Sequence, residues 1–109
     1  MRWLSRRRPR TGDPTPSPKQ AQQATLDHLR QFVQTRVGVE AYIEPVTNVT
    51  QTTMVLIATT GEWTRRRVPD PGVARDIARA LSIPVYDVQL TGYPQRMRDW
   101  NARRRSPRR

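Results

Sequence analysis

The apolar residues and the excess positive charge occupy different parts of this 109-residue chain. Residues 21–94 contain 32 of the 38 apolar residues, together with seven arginines and seven acidic residues. The net charge of +11 therefore lies entirely in the two ends, with +5 in residues 1–20 and +6 in residues 95–109. Folding requires enough buried apolar surface to offset the conformational entropy that the chain loses. Only the middle of the chain meets this requirement, so we expect one small folded domain between two basic ends.

We place the domain boundaries where the composition changes. Residues 1–17 are rich in proline and arginine, which predicts an extended, disordered basic arm. Residues 18–94 form the predicted domain, and residues 95–109 form a basic helix or tail with Met97 and Trp100 on one side. The first basic cluster has no apolar stretch after it, and no apolar run approaches the length of a membrane span. We therefore expect neither a secretory signal nor a membrane-spanning helix.

Two helices are predicted from capping residues and helical spacing. The first begins at Pro18, after the capping residue Ser17, and ends at Gly38. The second begins at Pro71, after the capping residue Asp70, and runs to about residue 81. Apolar residues recur at helical spacing in both segments, so each helix has one face to bury.

Four segments are predicted as strands. Residues 39–44 alternate between apolar and polar side chains, which indicates a strand with one buried face. Residues 54–58 form an unbroken apolar run, which is typical of a central strand covered on both faces. Residues 62–68 form a short polar strand and residues 85–90 a fourth strand. The sequence thus predicts an α+β domain of order α-β-β-β-α-β, a small mixed sheet of three to four strands with two helices packed on one face.

Arginine clusters near both ends are the main candidate for a function. Arginine neutralises phosphates, releases counterions and stacks on bases, so such clusters are typical of nucleic-acid binding with little sequence preference. The alternative is that the clusters keep the ends soluble and reflect the codon usage of a GC-rich genome. The candidate contacts in these segments are Arg6, Arg7, Arg8, Arg10, Arg96, Arg98, Arg103, Arg104 and Arg105.

The third strand adds a second candidate surface. Because side chains alternate along a strand, Trp63, Arg65 and Arg67 share one face and Arg66 lies on the other. An aromatic ring between arginines is suited to stacking a base while holding its phosphate. The alternative is an edge strand protected by charge, with Trp63 packed on the sheet. At least two of the three arginines are expected to be exposed, because a small core cannot bury three unpaired charges.

Catalytic and metal-binding arrangements are poorly represented. The chain has no cysteine, one histidine and no glycine-rich phosphate loop, so we expect no enzymatic activity, metal or cofactor. Glu40, Tyr42 and Glu44 share a strand face, where the two carboxylates can serve acid–base chemistry, bind a cation or pair with arginines of a neighbouring strand. We favour pairing, because no third ligand or nucleophile lies nearby in the sequence. His28 is expected to be solvated or partly covered.

Three segments resemble a small family of uncharacterised actinobacterial proteins with no established activity: residues 61–68 (GEWTRRRV), 83–88 (IPVYDV) and 92–98 (GYPQRMR). The resemblance spans roughly residues 24–100. It implies a bacterial, cytoplasmic setting and implies that residues 92–98 belong to the edge of the domain. The order of the first five elements also resembles double-stranded-RNA-binding domains, although Asp70 and Pro71 stand where that family has a basic cluster. Duplex recognition by that mode is therefore not expected.

The sequence as a whole predicts a non-enzymatic nucleic-acid-binding protein. RNA or a ribonucleoprotein surface is favoured over DNA, and an anionic membrane is less favoured than either. The alternative hypothesis is a protein-interaction or regulatory module that docks through its sheet, with incidental basic ends. No small-molecule substrate is indicated.

Overall fold

The computed structural model describes residues 18–47 and 51–105. Eight elements follow one another along this part of the chain: α1 (Pro18–Thr35), β1 (Glu40–Glu44), β2 (Thr53–Ile57), β3 (Trp63–Arg67), α2 (Pro71–Ala80), β4 (Val85–Asp87), α3 (Val88–Thr91) and α4 (Gln95–Arg105). The predicted α+β class and the mixed sheet are confirmed. None of the described helices is both long enough and apolar enough to cross a membrane.

The four strands form one mixed sheet in the order β3-β2-β1-β4. The pairs β1–β2 and β2–β3 are antiparallel, and a tight hairpin joins β2 to β3. α2 then crosses from β3 at one edge to β4 at the other, where β4 pairs in parallel with β1. A parallel return of this kind needs a helical crossover, which explains why α2 separates the two edge strands.

The first face of the sheet packs against α1 and α2, as predicted. Leu29 and Phe32 of α1 and Ala74 and Ala78 of α2 are buried there. The expected inward residues of β1 lie on this face too, where Ala41 is completely buried. The unbroken apolar run that β2 contains is buried on both sides, which confirms its central position.

α4 packs on the second face of the sheet. Met97 is the buried residue of this helix and packs with Tyr42, Val55 and Ile57 of the sheet. Trp63 and Tyr93 border the same cluster and are partly buried. The prediction of two helices on one face is thus correct for α1 and α2, and the segment after residue 94 adds a third layer beneath the sheet.

Element ends follow the predicted capping chemistry at some positions and depart from it at others. α1 begins at Pro18, and Asp70 caps α2 by accepting a hydrogen bond from the backbone N–H of Val73. The prediction that β4 continues to residue 90 is wrong, since the strand ends at Asp87. The carboxylate of Asp87 accepts from the backbone N–H of Gln89 and begins the single turn α3. The predicted cap Ser17 lies outside the described residues.

Candidate nucleic-acid interface

Polar contacts hold α4 on the sheet beside its single buried side chain. Arg96 donates from Nη2 to Glu40 Oε1 at 2.7 Å and from Nε to the carbonyl oxygen of Ala58 at 2.9 Å. Trp63 donates from Nε1 to Asn101 Oδ1 at 2.8 Å. Arg96 and Trp63 were both predicted as nucleic-acid contacts, and in the structure their donor groups connect α4 to the sheet.

Arg65 forms the second ion pair on this face. Its Nε and Nη2 donate to the two carboxylate oxygens of Glu44 at 2.8 and 2.9 Å, the two-pronged geometry that binds a carboxylate most strongly. Its guanidinium carbon also lies 4.9 Å from the centre of the Trp63 ring. Arginine therefore covers the ring on which a base was predicted to stack.

Glu44 is the centre of a hydrogen-bond network that joins β1, β2 and β3 to Tyr93. Its carboxylate accepts from Arg65, from the Thr53 hydroxyl and from the Tyr93 hydroxyl. Burial alone would raise the pKa of this carboxyl, but the three hydrogen bonds and the charge of Arg65 together lower the pKa below its ordinary value. Both carboxylates of β1 are therefore paired with arginines, but these arginines do not lie on a neighbouring strand as expected: Arg65 belongs to β3, which is two strands away, and Arg96 to α4.

β3 lies at the edge of the sheet and has the features of a charge-protected edge strand. Arg65, Arg66 and Arg67 are all exposed, which confirms the expectation that at least two of them would be. The predicted alternation is also observed, because Arg65 contacts Trp63 on the α4 side while Arg66 reaches His28 on the α1 side. Arg67 is likewise an exposed cation on this edge strand, where charge opposes pairing with a strand of another molecule.

Among the described residues, the arginines divide into two groups. Five form ion pairs with carboxylates: Arg30, Arg36, Arg65, Arg79 and Arg96. The others have no carboxylate within ion-pairing distance in the described part of the chain: Arg66, Arg67, Arg75, Arg98, Arg103, Arg104 and Arg105. Four of these seven lie on α4, and three are consecutive in its last turn.

The last turn of α4 combines exposed cations with an aromatic ring. The guanidinium carbon of Arg104 lies 4.9 Å from the centre of the Trp100 ring, and that of Arg103 lies 5.8 Å away. Cations at a helix C-terminus are also favoured by the helix dipole. This end of α4 lies beside the β2–β3 hairpin, because Arg103 donates to the carbonyl oxygen of Thr60. Of these predicted contacts, Arg65 is thus ion-paired with a carboxylate, whereas Arg103 and Arg104 are not.

The remaining predicted contacts fall into two groups. Arg98 is exposed and donates to the carbonyl oxygen of Tyr93 and to the side chain of Gln95. The N-terminal candidates lie outside the described residues: Arg6, Arg7, Arg8 and Arg10. The end of the chain after residue 105 also lies outside them. The structure therefore brings together α4 and β3 on one side of the domain.

The sequence did not predict a contact between His28 of α1 and β3. His28 is partly covered, as expected, and its Nε2 lies 2.7 Å from Thr64 Oγ1 while its Nδ1 lies 3.1 Å from Arg66 Nη2. Arginine only donates, so Nδ1 must accept, and the ring proton is on Nε2. His28 therefore donates to Thr64 and has no lone pair with which to take a proton from its hydroxyl, so the pair is not arranged as a nucleophile and its base.

Two further observations bear on function. No group of three or more metal-ligating side chains is assembled within residues 18–47 and 51–105. Comparison of the chain with protein families, with curated proteins and with solved structures finds no match.

Proposed function

We propose that this protein binds nucleic acid without catalysing a reaction, with RNA or a ribonucleoprotein surface as its partner in preference to DNA. The observation that supports this most directly is the row of exposed, unpaired arginines in the last turn of α4, Arg103, Arg104 and Arg105. These continue into a C-terminal segment that contains Arg108 and Arg109. A cationic row of this kind neutralises consecutive phosphates.

The division of the arginines strengthens this proposal. Carboxylates of the domain neutralise Arg65 and Arg96. The other arginines of α4 are exposed, and Asp99 is the acidic residue of this helix. Arg67 adds an unpaired cation at the open edge of β3. The proposal includes the N-terminal arginines as contacts to the same nucleic acid, because they are close in sequence to the start of the domain. A cytoplasmic setting, which the family resemblance implies, belongs to the same proposal.

Binding of the full-length protein to labelled single-stranded RNA, duplex RNA and DNA of equal length tests the proposal. Two triple variants have the same net charge but different positions of the lost charge. The first replaces the three arginines of the last turn of α4 by glutamine: Arg103, Arg104 and Arg105. The second replaces exposed or half-exposed helical arginines on the opposite side of the sheet: Arg30, Arg75 and Arg79.

The first variant is expected to lose most of the affinity for RNA, and the second to lose little. Exposed side chains of this kind contribute little to stability, so both variants should unfold at nearly the temperature of the parent protein. Equal losses in the two variants would show that only net charge matters and would contradict a defined interface. Binding that is stronger to DNA than to RNA would contradict the choice of partner.

The protein-interaction hypothesis remains the second candidate, but its docking surface moves from the face of the sheet to the β4 edge. α1 and α2 pack on one face of the sheet, and Met97 of α4 packs on the other, so the exposed apolar side chains considered for docking lie at the β4 edge. Leu90 of α3 is 84% exposed and Tyr86 of β4 is 37% exposed, and both lie at the sheet edge away from β3. A protein that remains bound after nuclease treatment and is released by Leu90→Ser would favour this candidate over nucleic-acid binding.

A further inference from the structure

Trp100 is the aromatic residue of α4 and lies outside the apolar core. It is partly exposed and belongs to neither of the two apolar clusters that pack against the sheet. Its Cβ lies beside the β2–β3 hairpin, because a Cβ built on Gly61 would come within 2.9 Å of it. Among the described residues, the indole N–H of Trp100 has no hydrogen-bond acceptor, whereas that of Trp63 donates to Asn101. The Trp100 ring is therefore an aromatic group that the packing of the sheet does not use.

The arginine over the Trp100 ring is held differently from the arginine over the Trp63 ring. Arg65 contacts Trp63 while two of its nitrogens bind Glu44, so its guanidinium is fixed over that ring. Arg104 lies at the same distance, 4.9 Å, from the centre of the Trp100 ring, but within the described part of the chain it has neither a hydrogen bond nor an ion pair. Exposed side chains without such partners exchange rotamers rapidly. Arg104 can therefore leave the ring for a ligand, whereas Arg65 cannot.

The charges beside this ring leave its two arginines available to an anion. Glu62 is the carboxylate on which the charge of Arg104 acts, but Arg36 already binds both of its oxygens at 3.1 and 2.5 Å. The hydrogen bonds from Arg36 lower the pKa of Glu62, and the charges of Arg36 and Arg104 lower it further. Arg103 lies 5.8 Å from the ring centre and makes one long hydrogen bond, of 3.4 Å, to the carbonyl oxygen of Thr60. Two cations thus flank the ring, and the nearby acid is paired with a third.

We propose that Trp100 stacks an unpaired base of the bound nucleic acid while Arg103 and Arg104 hold the adjacent phosphates. This inference rests on the proposed function and specifies its partner as single-stranded RNA. A ring beside cations suits a nucleotide, because every base has a face that stacks on an aromatic side chain and every linkage carries a negative charge. The free indole N–H adds a donor for an oxygen of the phosphate or sugar. In a duplex the bases already stack on one another, so Trp100 gains no such contact there.

A strand without bases separates stacking from charge. The two probes are a single-stranded RNA and an abasic ribose–phosphate strand of equal length, which carry the same number of phosphates. The full-length parent protein should bind the RNA about tenfold more tightly than the abasic strand, which is the scale of one stacked base. Trp100→Leu keeps an apolar residue that favours a helix but removes the ring, so this variant should bind both strands with nearly the affinity that the parent protein has for the abasic strand. Trp100→Phe should retain part of the preference for RNA.

Tyr86→Leu is the matched control for the loss of an aromatic ring. Tyr86 is 37% exposed and contacts Tyr42 at the β4 edge of the sheet, whereas Trp100 lies beside the β2–β3 hairpin. This variant should keep the full preference for RNA over the abasic strand. Nuclear magnetic resonance gives a second readout, since the indole N–H signal of Trp100, assigned by its loss in Trp100→Phe, should shift further with RNA than with the abasic strand. A purely structural role of Trp100 would lower the affinity for both strands equally.

The outcomes separate this inference from the proposed function. Equal affinities of the parent protein for the two strands, an equal loss for both strands in Trp100→Leu, or the same loss of preference in Tyr86→Leu would overturn stacking on Trp100. If Trp100→Leu does not fold, an equal shift of the Trp100 signal with the two strands overturns it instead. If RNA binding in those cases still depends on the arginines in the last turn of α4, the proposed function stands without a stacked base. If no polynucleotide binds the protein, both fail.

Discussion

Replacing Arg96 or Arg98 by glutamine separates the two uses of arginine in this protein. Both residues lie on α4 and were predicted from the sequence to contact nucleic acid. Arg96 is ion-paired to Glu40, each side chain being 29% exposed, and also donates to the carbonyl oxygen of Ala58. Arg98 is exposed and has no carboxylate partner among the described residues. The two substitutions remove the same charge two positions apart.

The structure gives an expected cost for each variant. A hydrogen bond to a charged group is worth about 1.5–3 kcal/mol in full, and the partial exposure of this pair reduces the loss in Arg96→Gln to about 2 kcal/mol in all. For a domain of this size such a loss lowers the midpoint of thermal unfolding by roughly 8–16 °C. Arg98→Gln should change the stability by less than about 0.5 kcal/mol.

Thermal and urea unfolding measure these differences, and RNA binding at a temperature where both variants are folded provides the second readout. We expect Arg96→Gln to lose stability and Arg98→Gln to lose RNA affinity. Equal destabilisation by the two substitutions would refute the role of Arg96 in docking α4. A loss of RNA affinity confined to folded Arg96→Gln would show that this side chain contacts the ligand instead.

Two further predictions concern the contacts beneath α4. Because the pKa of Glu44 is lowered in the folded protein, its contribution to stability is complete above its ordinary pKa of about 4.5 and is lost as the pH falls through the lowered pKa. Urea unfolding should therefore show a loss of stability in acid that is smaller in Glu44→Gln, and an unchanged pH profile in that variant would refute the assignment. In Gly61→Ala, the new Cβ would lie 2.1 Å from the carbonyl oxygen of Arg96, so near-ultraviolet circular dichroism should show loss of the α4 packing. Gly92 also has positive φ, but a Cβ there would have no atom within 4 Å, so Gly92→Ala should cost only the backbone strain of about 1–2 kcal/mol. Equal effects of the two substitutions would exclude the clash as the cause.

Local signals in the sequence predicted much of the fold. Pro71 after Asp70 predicted the start of α2, since the carboxylate and the fixed proline backbone act within one turn. The apolar run that contains Val55 predicted a central strand, because only burial on both faces tolerates it. The end of β4 was missed because Asp87 fits a strand by alternation, whereas its side chain caps the next turn.

The candidate site was less predictable, because its contacts join distant segments. Alternation correctly assigned Trp63 to one face of β3 but could not show that α4 covers that face. α4 has one buried residue, Met97, and docks largely through polar side chains, so no apolar stripe revealed its contact surface. His28 and Thr64 are 36 positions apart, and the sequence predicted a solvated or partly covered His28 without indicating a partner.

The salt dependence of RNA binding shows whether the arginines at the end of α4 contact phosphates. Each phosphate neutralised on a single strand contributes about 0.7 to the slope of log affinity against log salt. If Arg103, Arg104 and Arg105 each contact a phosphate, their joint replacement by glutamine should reduce this slope by about 2. The control variant that lacks Arg30, Arg75 and Arg79 should keep the slope of the parent protein. An unchanged slope in the first variant, or equal reductions in both, would contradict the account.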